Sequence, residues 1–161
     1  MKHVLLAAAA VLALGLMPHA AMAKDLPSAG LSVNDVAKWL QDQGYKAQIN
    51  TAKDGTKSIS SATGGVDFYV DMYDCKDKPT CASIQFSAGF DTSGAFNATK
   101  MNKWNSGNRW VGAYVDDKDD PWVRMDVDLT PGGTYEGLDD QLTIFSDMLA
   151  SFKKFLNDSN S

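Results

Sequence analysis

Four runs between Val66 and Leu129 place an apolar residue at every second position, and this period of two most restricts what the chain can fold into. Successive side chains of an extended chain point to opposite faces, so the alternation marks strands with one face in a core and one outside it. In the first run Val66, Phe68, Val70 and Met72 face one way, and Asp67, Tyr69, Asp71 and Tyr73 the other. In the second, Ala82, Ile84, Phe86 and Ala88 alternate with Ser83, Gln85 and Ser87. The short segment YDCKDKPTCAS joins them, which predicts an antiparallel hairpin.

A second hairpin is predicted over Arg109 to Asp116 and Trp122 to Leu129, joined by DDKDDP. With Val115 opposite Val123, the core face carries Val111, Ala113, Val115, Val123, Met125, Val127 and Leu129. The opposite face carries Trp110, Tyr114, Trp122, Arg124, Asp126 and Asp128, and this aromatic, charged set is the candidate binding face. A slip by one residue mixes the two sets, so the register is well specified.

Around the hairpins the period changes to that of helices. Ser32, with Asp35 three residues on, predicts a capped helix carrying Val33, Val36, Ala37 and Leu40 on one face, with Gly44 placed to end it. Strands follow at Tyr45 to Asn50 and Lys57 to Ala62, around an Asp54-Gly55 turn. Asn97 is placed to cap a helix with Met101, Trp104 and Asn105 on one face, ending at Gly107. After the turn from Thr130 to Tyr135, a stripe of Leu138, Leu142, Phe145, Leu149, Phe152 and Leu156 predicts a last helix to about Leu156 with Lys153 and Lys154 in its last turn, followed by a fraying tail. The fold class is therefore α+β: an antiparallel sheet with helices mainly on one face, in the order α-β-β-β-β-α-β-β-α.

The amino-terminal residues read as an address. Met1-Lys2-His3 is a short basic start, Val4 to Leu16 is apolar, and Ala21-Met22-Ala23 ends the segment in a small-x-small pattern. This predicts a bacterial-style signal peptide over residues 1–23, cleaved after Ala23, and a single domain over residues 24–161, periplasmic or secreted. The alternative, a membrane anchor, has an apolar run well short of the roughly 20 residues a bilayer requires. No membrane span is expected in the mature form. Cys75 and Cys81 fit the exported setting as a disulfide, with a redox or zinc pair as the competing reading.

Composition excludes several chemistries. Both histidines, His3 and His19, leave with the signal peptide, which removes imidazole catalysis and nearly all common transition-metal sites from the mature domain. Removal of Lys2 takes the net charge from −5 to −6, and Arg109 and Arg124 are the only arginines. Such a domain cannot neutralise phosphates, so no nucleic-acid partner is expected. The acidic turn at Asp116 to Asp120 fails the calcium-loop pattern, with Pro121 at the sixth position and Val127 at the twelfth. Asp126 and Asp128 stand about 7 Å apart along one strand face, a spacing glycosidase carboxylates also use. But a small sheet-and-helix sandwich rarely has room for a glycosidase cleft, and exposed strand acids opposite Trp110 and Arg124 are the commoner explanation. No catalytic residue, cofactor or metal is assigned.

The segment MNKWNSGNRW predicts a polar joint in which Asn105 and Arg109 satisfy backbone groups where helix meets strand. Asn102, Trp104, Asn105 and Arg109, then Tyr114-x-Asp116, Pro121 and the strand MDVDL, resemble the YbjN family of bacterial sensory-transduction regulators. The resemblance spans nearly the whole mature chain. It implies a fold similar to the small type III secretion chaperones, which bind proteins and commonly dimerise, and it implies no catalytic site. The expected function is thus an exported, non-enzymatic binding or chaperone-like regulatory protein with an unknown protein partner; a homodimer with no other partner is a third, purely structural possibility. The alternative is a small-molecule or glycan binder, or a weak carboxylate-dependent hydrolase, using Asp126, Asp128 and the aromatics Trp110, Tyr114 and Trp122.

Overall fold

The computed structural model describes residues 23–75 and 79–159, so the predicted signal segment up to Met22 lies outside the described residues. The elements are β1 (Leu31–Ser32), α1 (Val33–Asp42), β2 (Gln48–Thr51), β3 (Lys57–Thr63), β4 (Val66–Tyr73), β5 (Thr80–Cys81), β6 (Ser83–Gly89), α2 (Ala98–Gly107), β7 (Gly112–Val115), β8 (Pro121–Asp128) and α3 (Tyr135–Ser159). Six strands form one antiparallel sheet in the order β2-β3-β4-β6-β8-β7, and β1 pairs with β5 in a separate two-stranded ladder.

The alternation acts as expected. Ile59, Phe68, Val70, Ile84, Phe86, Ala88, Val123, Met125 and Val127 are all buried on one sheet face. The helices cover that face. Phe145 of α3 lies 5.6 Å from Phe68 and 5.2 Å from Phe86, ring centre to ring centre. Trp39 of α1 meets Phe86, and Trp104 of α2 packs on Phe152 and Phe155 of α3. Fully burying one such ring contributes about 1.5–3 kcal/mol, so these contacts hold the helix layer on the sheet.

The helix ends follow local chemistry. Ser32 and Asp35 form a reciprocal capping box at α1, and Gly44 (φ 84°) closes its other end while Tyr45 N–H donates to Leu40 O at 2.9 Å. Asn97 caps α2 by accepting from Lys100 N–H at 3.0 Å.

Four details differ from the sequence reading. Val115 pairs with Pro121, and Ala113 with Val123, because the Asp116 carboxylate gathers the N–H groups of Lys118 and Asp120 and tightens the turn to five residues. The shift is two residues, so every side chain keeps its face. The cysteine turn is not a free hairpin tip: Cys75 and Cys81 are bonded, and β5 within the turn pairs with β1 at the start of α1. Strand β2 begins at Gln48 rather than Tyr45, whose ring packs 6.3 Å from Phe68. Helix α3 continues to Ser159, where Lys100 Nζ donates to the Ser159 carbonyl at 3.3 Å; the cation at this terminus comes from α2 rather than from Lys153 or Lys154.

Candidate functional site: the open face of the sheet

With all three helices on one side, the other side of the sheet carries the complementary half of each alternation. Cross-strand register aligns these residues in rows. One row runs Asn50, Ser58, Asp71, Gln85 and Asp126; the next runs Gln48, Ser60, Tyr69, Ser87, Arg124 and Gly112. Among the described residues, Tyr69, Tyr73, Tyr114 and Trp110 are four of the five large apolar side chains left exposed, with Trp110 54% accessible.

Trp122 is the centre of an aromatic stack. Its indole lies over Gly89, where any Cβ would overlap the ring, so the glycine opens room for the indole on the neighbouring strand. Tyr114 stacks on the other side, with ring centres 6.5 Å apart and planes 20° from parallel. The Arg124 guanidinium stands 5.3 Å above the Tyr114 ring, within cation–π range. Asp116 Oδ2 accepts from Trp122 Nε1 at 3.3 Å, tying the stack to the acidic turn. Burial pushes the Tyr114 hydroxyl up, with Arg124 opposing the shift.

Acids flank the stack. Asp71 lies half-buried in the middle strand, and burial pushes its carboxyl above the usual range, opposed by a hydrogen bond from Ser87 Oγ at 3.4 Å. Asp126 Oδ1 accepts from Gln85 Nε2 at 2.6 Å. Among the described residues the one salt bridge is Lys38–Asp42 on α1, so none of these carboxylates has an ion-pair partner among those residues. No group of three or more His, Cys, Asp or Glu among the described residues could hold a metal ion.

The candidate face therefore comes together only in part. Tyr114, Trp122 and Arg124 form one stack, and Asp126 and Asp128 are exposed beside it. Trp110 stands apart at φ 74°, in a tight turn closed by Val111 N–H donating to Arg109 O at 2.9 Å. Its indole is covered by the Arg109 guanidinium at 4.8 Å rather than by Tyr114 or Trp122. Tyr69, Asp71 and Tyr73 belong to the same face but come from the other hairpin. Parity alone places them outward; only the β4–β6–β8 order sets them beside the stack.

The joint before β7 also divides its roles differently from the expectation. Asn105 donates to Ala113 O at 2.9 Å and accepts from Ala113 N–H at 2.8 Å. Arg109 caps no carbonyl of α2; Asn108 does, donating to Trp104 O at 2.9 Å, because the guanidinium is drawn onto the Trp110 ring. Trp104 is buried and Asn102 is exposed on α2.

Among the described residues, a six-stranded sheet with three helices on one side and an aromatic, acid-bearing face left open on the other defines a small α+β protein. The sequence profile of the YbjN family, described as "Putative bacterial sensory transduction regulator", matches residues 32–157, from the cap of α1 to the last turns of α3. The chain belongs to the YbjN family. No curated protein matches it. No helix among the described residues is long and apolar enough to cross a membrane.

Proposed function

We propose that this family member is an exported, non-enzymatic binding or chaperone-like regulator that acts through protein–protein contacts on the open face of the sheet. The observation that carries the reading is the Trp122–Tyr114–Arg124 stack beside exposed Tyr69 and Tyr73. Aromatic residues and arginine are the types enriched where proteins meet. The absence of histidine from the mature sequence supports a non-catalytic role.

Export is supported by the amino-terminal signal pattern and by the Cys75–Cys81 bond. Capture from a periplasmic extract, comparing wild type with Trp110→Ala/Trp122→Ala, tests the interaction. The expected result is a defined set of proteins retained by wild type and lost by the double variant. An empty or unchanged set removes this face as the interface.

A further inference from the structure

We propose that the free edge of β8 at Asp126–Asp128, with the cleft beneath it, binds an extended polypeptide segment of alternating basic and apolar residues. Pairing parity carries the first step. Antiparallel partners alternate between residues that exchange main-chain hydrogen bonds and residues that do not. Leu129 N–H donates to Ala82 O at 2.8 Å, so the odd-numbered residues of β8 bond toward β6. Arg124, Asp126 and Asp128 then direct N–H and C=O the other way. Asn105 gives an independent check from across the ladder, because it takes both main-chain groups of Ala113, which must therefore face away from β8. Gly112 accordingly bonds Arg124.

The ladder stops there. The tight turn at Trp110 carries the chain off line, and β7 contributes no residue opposite Asp126 or Asp128. Two N–H donors and two C=O acceptors thus stand unpaired at a sheet edge, with no strand partner among the described residues. Such a row is a template for an added strand.

The surroundings name the occupant. A cleft of about 320 Å³ beside Asp126 and Asp128 is lined by the buried side chains of Leu26, Val127 and Leu138 and by the half-exposed Thr134 and Gln141. Side chains of an added strand alternate between faces. Those on the open side meet the Asp126 and Asp128 carboxylates, which suits lysine or arginine. Those on the helix side enter the cleft against Leu26 and Leu138, with Thr134 and Gln141 next to them, which suits short aliphatic groups. A second copy of this chain fits poorly: edge-to-edge pairing about a two-fold axis would set these carboxylates against their own copies, and like charges opposed across a ladder are destabilising. The inference rests on the interaction reading above only in taking a polypeptide as the ligand, and it uses a different surface.

Backbone amide exchange and peptide titration, both followed residue by residue by NMR, test it. In the free protein the Asp126 and Asp128 amides should exchange at least tenfold faster than those of Met125 and Val127. Acetyl-Val-Lys-Val-Lys-Val-amide should slow them and shift resonances at residues 126–128 and 137–138. The same peptide N-methylated at both lysines, or with Glu in place of Lys, should bind at least tenfold more weakly, and Asp126→Asn/Asp128→Asn should weaken the lysine peptide similarly. Amides at Asp126 and Asp128 already as slow as Val127, or equal shifts from the N-methylated peptide, overturn the proposal. Equal binding of the glutamate peptide overturns its basic character. This titration reads the edge alone, so it can fail while capture through the aromatic face succeeds, and the reverse.

Discussion

The carboxamide of Asn105 meets both main-chain groups of Ala113, accepting from its N–H at 2.8 Å and donating to its C=O at 2.9 Å. One side chain of α2 thus takes the place that a further strand would occupy at the outer edge of β7. Asn105→Ala should remove both bonds and leave the edge open, at a cost of about 1–3 kcal/mol in urea-induced unfolding. Asn105→Asp keeps the acceptor and loses the donor, so it should fall between the two. A variant as stable as wild type would show that the edge needs no such cover.

Gly89 and Trp122 form a size-matched pair on the open face. Gly89→Ala should push the indole off the strand, change near-ultraviolet circular dichroism, and cost about 1–3 kcal/mol. In a Trp122→Ala background the same substitution should cost far less. Additive effects in this double-mutant cycle would mean that the indole does not depend on the glycine.

The Cys75–Cys81 bond closes a loop of only seven residues, which in the chain-entropy account contributes about 2–2.5 kcal/mol. It also holds β5 against β1, next to the Ser32 cap of α1. Gly30 lies so close to the Cys81 carbonyl that any side chain there would collide with it. Cys75→Ser/Cys81→Ser should therefore lower the denaturation midpoint and raise amide exchange in the first turn of α1. A stability loss without that local change would separate the bond from the cap.

Two carboxylates predict opposite pH effects. Burial raises Asp71, so the folded state holds its proton more tightly than the unfolded chain does. Its contribution falls as pH rises from the ordinary carboxylate value through the raised one. Asp71→Asn should hence stabilise the protein at neutral pH, with the gain vanishing below the ordinary value. Asp35 is lowered, first by the Ser32 hydroxyl and then by the Ser32 N–H. Its stabilisation is present above the ordinary value and is lost as pH falls through the lowered one. Ser32→Ala, which costs about 0.5–2 kcal/mol for such a cap, should cost less in acid. Urea titrations of both variants at neutral and acid pH read the two signs; a common sign would contradict the assignment.

The main-chain nitrogen of Lys24 lies 3.0 and 3.2 Å from the two carboxylate oxygens of Glu136. Cleavage after Ala23 would turn that nitrogen into an ammonium group facing the first turn of α3. Mass spectrometry of the exported protein should give Lys24 as its first residue. Glu136→Gln should then lower stability by less than about 1 kcal/mol, as for exposed ion pairs, with the difference shrinking in salt. A different first residue would displace the predicted processing site.

The faces of the strands and the stripes of the helices were legible because they rest on local periods: Val66 to Tyr73 alternates whatever its neighbours are, and Leu138 to Leu156 repeats at helical spacing. The caps at Ser32 and Asn97 were legible for the same reason, being bonds across three residues. The Val115 register differs from the expected one by two residues because turn length depends on how tightly Asp116 draws in its own backbone, and parity survives any even shift. Spacing alone points Arg109 to the helix end, but the Trp110 ring beside it competes for the guanidinium and holds it at 4.8 Å.

The sequence by itself determined an α+β protein with one buried and one open sheet face, since each residue's side of the sheet follows from its place in a local repeat. Only the tertiary structure decided which strands are neighbours. That order brings Tyr69 into the row of Arg124 and Asp71 into the row of Asp126, pairs β5 with β1, and leaves the outer edge of β8 without a strand partner past Arg124. These features depend on contacts between segments distant in the chain, and no local period records such contacts.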